Sequence, residues 1–121
     1  RALDMAAGSM AVTPERLEQM GTNWPGAVGE EALAMSLFCA LSFSDDYSAG
    51  VLAAVNHSGD SDSTGIITGQ ILALINGLEA VPKKWVGRLK MGDIVHIIAQ
   101  DLYEISTQKD ALPLDLITRH T

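Results

Sequence analysis

Apolar positions along the chain fall into blocks separated by short polar or glycine-rich interruptions, and no segment alternates with a period of two. That pattern predicts an all-α fold, a compact multi-helix array whose short loops set successive helices side by side. Thr13-Pro14-Glu15-Arg16 offers a capping residue, proline at the first helical position and an early acid, so a helix starts here and ends near Met20-Gly21. Residues 21–29, GTNWPGAVG, are dense in turn formers and predict a loop. From Glu30 a helix apolar almost all round is expected to be buried, with Leu33, Met35, Leu37, Phe38 and Leu41. Glu30 and Glu31 read as charges of its first turn rather than an acid/base pair, because adjacent helical residues point in different directions.

Ser44-Asp45-Asp46-Tyr47 supplies a new cap and an acidic first turn for a helix through Val51, Leu52 and Val55 to about His57. After Ser58-Gly59-Asp60, another apolar helix runs from about Ser61 to Asn76, where Gly77 suits a left-handed cap. Gly65 and Gly69 lie four apart on one face, a spacing that lets a neighbouring helix approach closely. A turn and short helix follow at Val81-Pro82-Lys83-Lys84-Trp85-Val86, in which the two lysines read as solvated. Met91-Gly92-Asp93 then opens an amphipathic helix carrying Ile94, Val95, Ile97, Ile98, Leu102 and Ile105. His96 inside it reads as a packed or boundary histidine without triad partners, and Tyr47 and Tyr103 as ordinary amphipathic contacts. The tail, residues 107–121, lacks a clear period and is expected to be loosely attached, so residues 1–121 form one partial domain.

Composition narrows the function classes. The chain's 121 residues allow one small domain at most. Fifteen acidic residues against eight unclustered basic ones give a net charge of −7, which argues against binding a nucleic-acid backbone or an anionic membrane. With 5% aromatic residues there is little for bases to stack on. No apolar stretch approaches the roughly 20 residues of a membrane-spanning helix. The single cysteine, Cys39, sits in an apolar run as a small buried hydrophobe, excludes a disulfide framework and fits a reducing, cytoplasmic setting. The first eight residues read as the middle of a helix, with neither a signal peptide's order nor an initiating methionine, so a piece of something longer is expected.

The run Asn56-His57-Ser58-Gly59-Asp60-Ser61-Asp62-Ser63-Thr64-Gly65 concentrates the chemistry. Two carboxylates two residues apart, followed by hydroxyls and flanked by glycines, can turn several oxygens around one point. Oxygen donors without thiolate favour Mg²⁺, Mn²⁺ or Ca²⁺ over softer ions, His57 being the nearby soft alternative. A helix cap explains one acid but not both, which leaves a cation site and a capped, solvated turn as alternatives. An EF-hand is rejected, because counting from Asp60 puts Ile71 where that loop needs a bidentate glutamate. A phosphate cradle at the helix start is opposed by the two acids unless a metal intervenes.

Together Glu30-Glu31-Ala32-Leu33-Ala34, Ala53-Ala54-Val55-Asn56-His57, Gly59-Asp60-Ser61-Asp62-Ser63-Thr64-Gly65, Pro82 and Trp85 resemble the C-terminal part of the ADP-ribosylglycohydrolases, over roughly residues 13 to 104. The resemblance implies an all-helical fold, a pair of Mg²⁺ or Mn²⁺ ions that hold ADP-ribose, and hydrolysis of the bond joining ADP-ribose to a modified protein side chain, often arginine, or a related acceptor. The family's Asp-x-Asp-Ser/Thr metal motif falls on Asp60, Asp62 and Ser63, with Thr64 as an additional hydroxyl. Ser58 stands where many relatives have glycine. Pro25-Gly26-Ala27 intervenes where relatives pass almost directly from tryptophan to the Glu-Glu helix, which favours packing over ligand contact for Trp24.

The family's N-terminal half, with its own Thr/Ser-Asp-Asp ligands and water-positioning acids, has no counterpart in these residues. The chain is therefore expected to be a C-terminal fragment of a metal-dependent hydrolase, inactive alone, whose partners are that missing half and an ADP-ribose-modified substrate. Its catalytic residues would lie in the missing half. The alternative is a non-catalytic helical module that keeps the fold for binding or assembly; the intact Asp60-Ser61-Asp62-Ser63 run favours the hydrolase.

Overall fold

The computed structural model describes residues 11–107, so the expectations for the opening residues and for all but the start of the tail lie outside the described residues. The helices in chain order are α1 (Pro14–Glu18), α2 (Gly29–Ser42), α3 (Tyr47–Val55), α4 (Ser61–Asn76), a 3₁₀ turn (Leu78–Ala80), α5 (Lys83–Val86) and α6 (Gly92–Thr107). No strand occurs among the described residues, and the fold is all-α as the pattern predicts. The chain divides at Pro82 into two compact units.

In the first unit α2, α3 and α4 pack on one another. Leu17, Met35, Phe38, Cys39 and Ala54 form its core, and Leu72 of α4 is fully buried as well. The α1 start is as expected: Thr13 accepts the Arg16 N–H through its hydroxyl at 3.3 Å, and Pro14 occupies the first turn. Asp46, rather than Ser44, caps α3, its Oδ1 accepting the Ala49 N–H at 2.9 Å.

The expectation that α2 is buried all round is corrected. Leu33 and Leu41 are 49% and 40% exposed, while Ala32, Met35, Ser36, Phe38, Cys39 and Ala40 form the buried part of the helix. Ser36 is fully buried and stays satisfied by donating its hydroxyl to the Thr64 carbonyl at 3.1 Å, which ties α2 to α4.

The glycine pair works as its spacing predicts. A Cβ on Gly65 would lie 2.6 Å from Val55 Cγ1, and one on Gly69 would lie 3.1 Å from the Tyr47 hydroxyl, so α3 occupies the groove that the missing side chains leave. Gly77 ends α4 with φ 82° and ψ 167°, a conformation open to glycine but outside the left-handed helical region expected of a cap.

The second unit holds α5 and α6. Ile94, Val95, Ile97, Ile98, Leu102 and Ile105 of α6 are each at least 40% exposed. His96, expected to be packed or at a boundary, is exposed, as is Tyr103. No helix of the described residues is long and apolar enough to cross a membrane.

Candidate metal centre

The acidic run occupies the loop between α3 and α4 and the first turn of α4. Asp60 stands at the capping position, yet its carboxylate accepts no free N–H of the helix. The reason is local. With φ −76° and ψ 74°, and the Ser61 N–H donating to the Gly59 carbonyl at 2.9 Å, Asp60 is the centre of an inverse γ-turn rather than an extended cap residue. Its carboxylate is thus free to meet other groups.

Ser63 joins the two acids. Its hydroxyl donates to Asp60 Oδ2 at 3.0 Å and its backbone N–H donates to Asp62 Oδ1 at 3.1 Å. The neighbouring Asp60 side chain, with the N–H groups of Ser63 and of Asp62 itself, holds the Asp62 carboxyl below its ordinary range. Asp62 is exposed, whereas Asp60 and Ser63 are half-buried. Two carboxyls and a hydroxyl therefore collect at one helical turn, a donor set suited to a hard divalent cation. The set is small for such an ion, which takes about six oxygens. Among the described residues no group of three His, Cys, Asp or Glu side chains converges to complete it.

Four braces fix this turn. The Asp60 N–H donates to the Pro25 carbonyl at 2.8 Å, and a Cβ on the preceding Gly59 would sit 1.9 Å from that same oxygen, so only glycine permits the approach. Pro25 is placed by a turn with proline second, Gly26 third at φ 81° and the Ala27 N–H returning to the Trp24 carbonyl at 3.2 Å, the pattern of a type II turn. Glu31 holds that turn from α2, accepting the N–H groups of Thr22 at 3.0 Å and Gly26 at 3.3 Å. From α1, Glu18 accepts the Ser58 N–H at 3.0 Å. Hydrogen bonds from the Ser58 side chain and N–H hold the Glu18 carboxyl below its ordinary range.

The fourth brace is His57. Its Nδ1 accepts the Gly59 N–H at 3.0 Å and its Nε2 lies 2.9 Å from Thr64 Oγ1, so both ring nitrogens serve the loop rather than a metal. Thr64 does not stand beside the acids as an extra hydroxyl; it is fully buried and turned inward, 2.7 Å from the Ala54 carbonyl.

Trp24 departs from its expected packing role and is 62% exposed, because Pro25 and Gly26 take the buried positions of that turn. The bracing roles of Glu18, Glu31 and His57 carry no signature in residue spacing. Pro25-Gly26 does, since that dipeptide at the centre of a turn dictates its type.

Comparison with known proteins gives the site its context. The chain matches the ADP-ribosylglycohydrolase family profile over residues 1–111. It is 29% identical over 66 residues to the ADP-ribosylarginine hydrolase Tri1 of Serratia proteamaculans (strain 568), covering 54% of this chain and 18% of that protein. It is 28% identical over 69 residues to the ADP-ribosylarginine hydrolase Tri1 of Pseudomonas putida (strain GB-1), covering 57% of this chain and 19% of that protein. The matched segment thus spans about a fifth of the length of these curated relatives. No solved structure matches the chain. On a match that takes in all but the last ten of its residues, the chain belongs to the ADP-ribosylglycohydrolase family.

Proposed function

We propose that this chain supplies one side of the metal centre of an ADP-ribosyl hydrolase, and that a further polypeptide segment carrying more acidic ligands completes it. One observation carries the reading: Ser63 gathers the Asp60 and Asp62 carboxyls onto a single braced turn. Similarity to two ADP-ribosylarginine hydrolases supports the choice of chemistry, and makes ADP-ribose on a protein side chain, arginine first, the substrate class.

In this role Asp60, Asp62 and Ser63 hold Mg²⁺ or Mn²⁺, two ions being expected in the completed site. Bound there, the ions supply positive charge that orients the ribose hydroxyls and a water and stabilises charge developing as the glycosidic bond breaks. The chain's own contribution is positional. Pro25, Glu18 and Glu31 keep the turn from shifting, so the carboxylate oxygens are set before substrate arrives. A carboxylate of the completing segment assists the attacking water.

The reading is tested by joining this chain to the N-terminal portion of one of the similar Tri1 hydrolases and following release of ADP-ribose from an ADP-ribosylarginine peptide with Mg²⁺, Mn²⁺ or EDTA. The joined protein is expected to release ADP-ribose with either metal and to stop with EDTA, while the 121-residue chain alone releases none. Metal-independent release, or release by the chain alone, contradicts the proposal. A folded joined protein with no release under any condition favours the non-catalytic module instead.

A further inference from the structure

We propose that His57 is a positioning residue for Asp60, and that it acts as a neutral ring locked in the tautomer with the proton on Nε2. The inference rests on the reading above for its consequence at the metal centre, but its structural content stands on hydrogen-bond accounting.

Thr64 Oγ1 lies near three carbonyl oxygens, of Ala54 at 2.7 Å, Asp60 at 3.2 Å and Ser61 at 3.2 Å, as well as His57 Nε2 at 2.9 Å. Carbonyls only accept, and the hydroxyl has a single proton to give, which goes to the shortest contact, Ala54. His57 Nε2 must then donate into the hydroxyl oxygen. At the opposite edge of the ring the partner is the Gly59 backbone N–H, 3.0 Å from Nδ1, which only donates. Nδ1 must therefore be the unprotonated nitrogen. Both edges give the same assignment, and both would be broken by the other tautomer: an N–H on Nδ1 would face the Gly59 N–H, and the Thr64 hydroxyl would have to abandon the Ala54 carbonyl.

The location of these bonds makes the ring a positioning device rather than filler. One edge holds the N–H of Gly59, the residue just before Asp60, and the other holds a buried hydroxyl of α4 that is itself fixed to the end of α3. The ring thus links the two ends of the turn whose centre is Asp60, while the Pro25 carbonyl holds the Asp60 N–H itself.

The test uses the ¹⁵N-labelled full chain. At neutral pH the His57 ring is expected to show a protonated Nε2 and an unprotonated Nδ1 with no averaging, against exposed His96 as an averaging reference. Exchange of the Asp60 N–H is then compared in the wild type, His57→Leu and His57→Asn, the last of which keeps an acceptor near the Nδ1 position. Leucine is expected to speed exchange and asparagine to restore most of the protection. In the chain joined to the N-terminal portion of a Tri1 relative, with Mn²⁺ alone as probe, His57→Leu should weaken binding by roughly 10- to 100-fold, the range for removing groups that orient ligands. An averaged or imidazolium ring, or wild-type Asp60 exchange in His57→Leu, overturns the inference. Absence of Mn²⁺ binding by the folded, joined wild-type protein would instead weaken the proposed function, while the tautomer and exchange data still decide the role of His57. Should His57→Leu not fold, the wild-type tautomer and the asparagine variant decide alone.

Discussion

Replacing Gly59 by alanine adds one methyl group where the structure has no space for it. The new Cβ would stand 1.9 Å from the Pro25 carbonyl oxygen, 2.8 Å from its carbon and 3.0 Å from the Pro25 nitrogen. All three are backbone atoms, so no side chain can rotate away. Relief requires the two loops to separate by about 1 Å or more, taking the 2.8 Å Asp60 N–H bond to Pro25 beyond hydrogen-bonding reach. Overpacking costs about 1 to 3 kcal/mol. The lost backbone bond adds about 0.5 to 1.5 kcal/mol. Together these give roughly 2 to 4 kcal/mol, a large part of the ~5 to 15 kcal/mol that holds a typical domain folded. For a domain of this size the melting temperature should fall by roughly 10 °C or more. Gly29→Ala is the control, because a Cβ there meets nothing within 4 Å. Thermal unfolding followed by far-UV circular dichroism compares the two. If Gly59→Ala melts with the control, the close approach of these loops is not a feature of the molecule.

Other consequences are as direct. Gly65→Ala presses on Val55 Cγ1 at 2.6 Å and should cost about 1 to 3 kcal/mol in urea unfolding, most of it recovered in the Gly65→Ala/Val55→Ala double variant. Burial pushes the Cys39 thiol up to about 12, so native protein should resist iodoacetamide at pH 8 and react once unfolded. Because this folded value is raised, the thiol's contribution to stability is complete below the unfolded value of 9.0 and fades as pH climbs toward 12; Cys39→Ala should flatten that alkaline slope. Glu18 behaves oppositely. Its folded value is lowered, so its contribution is complete above the ordinary glutamate value of 4.5 and disappears as pH falls through the lowered one. Glu18→Gln should remove that acid dependence and speed exchange of the Ser58 N–H at neutral pH.

Periodicity and caps made most of the first unit legible in the sequence. Thr13-Pro14, the Gly65/Gly69 stripe and the Asn76-Gly77 end act locally, so the residues that specify them are adjacent or one turn apart. Burial of α2 was read less well, because apolar residues at Leu33 and Leu41 do not reveal which side meets a neighbour. At the candidate site, Asp60, Asp62 and Ser63 stood out as types and spacings, and the structure brings their side chains together. What spacing could not convey is the support from a distance: Glu18 reaches Ser58 across 40 residues, and Pro25 meets Asp60 through backbone atoms that no side-chain pattern encodes. Trp24 was misjudged for the same reason, since the turn type decides which of its neighbours faces inward.

The most direct test of the central claim is Asp60→Asn in the hydrolase completed by the N-terminal portion of a Tri1 relative, with Mn²⁺ affinity and ADP-ribose release measured on the same sample. Asparagine keeps the size and the hydrogen bond from Ser63 but removes the ligand charge. If this turn holds the ion, affinity should fall by about 10-fold or more and turnover should fall with it. Unchanged affinity and unchanged turnover would show that the Asp60 turn holds no catalytic metal.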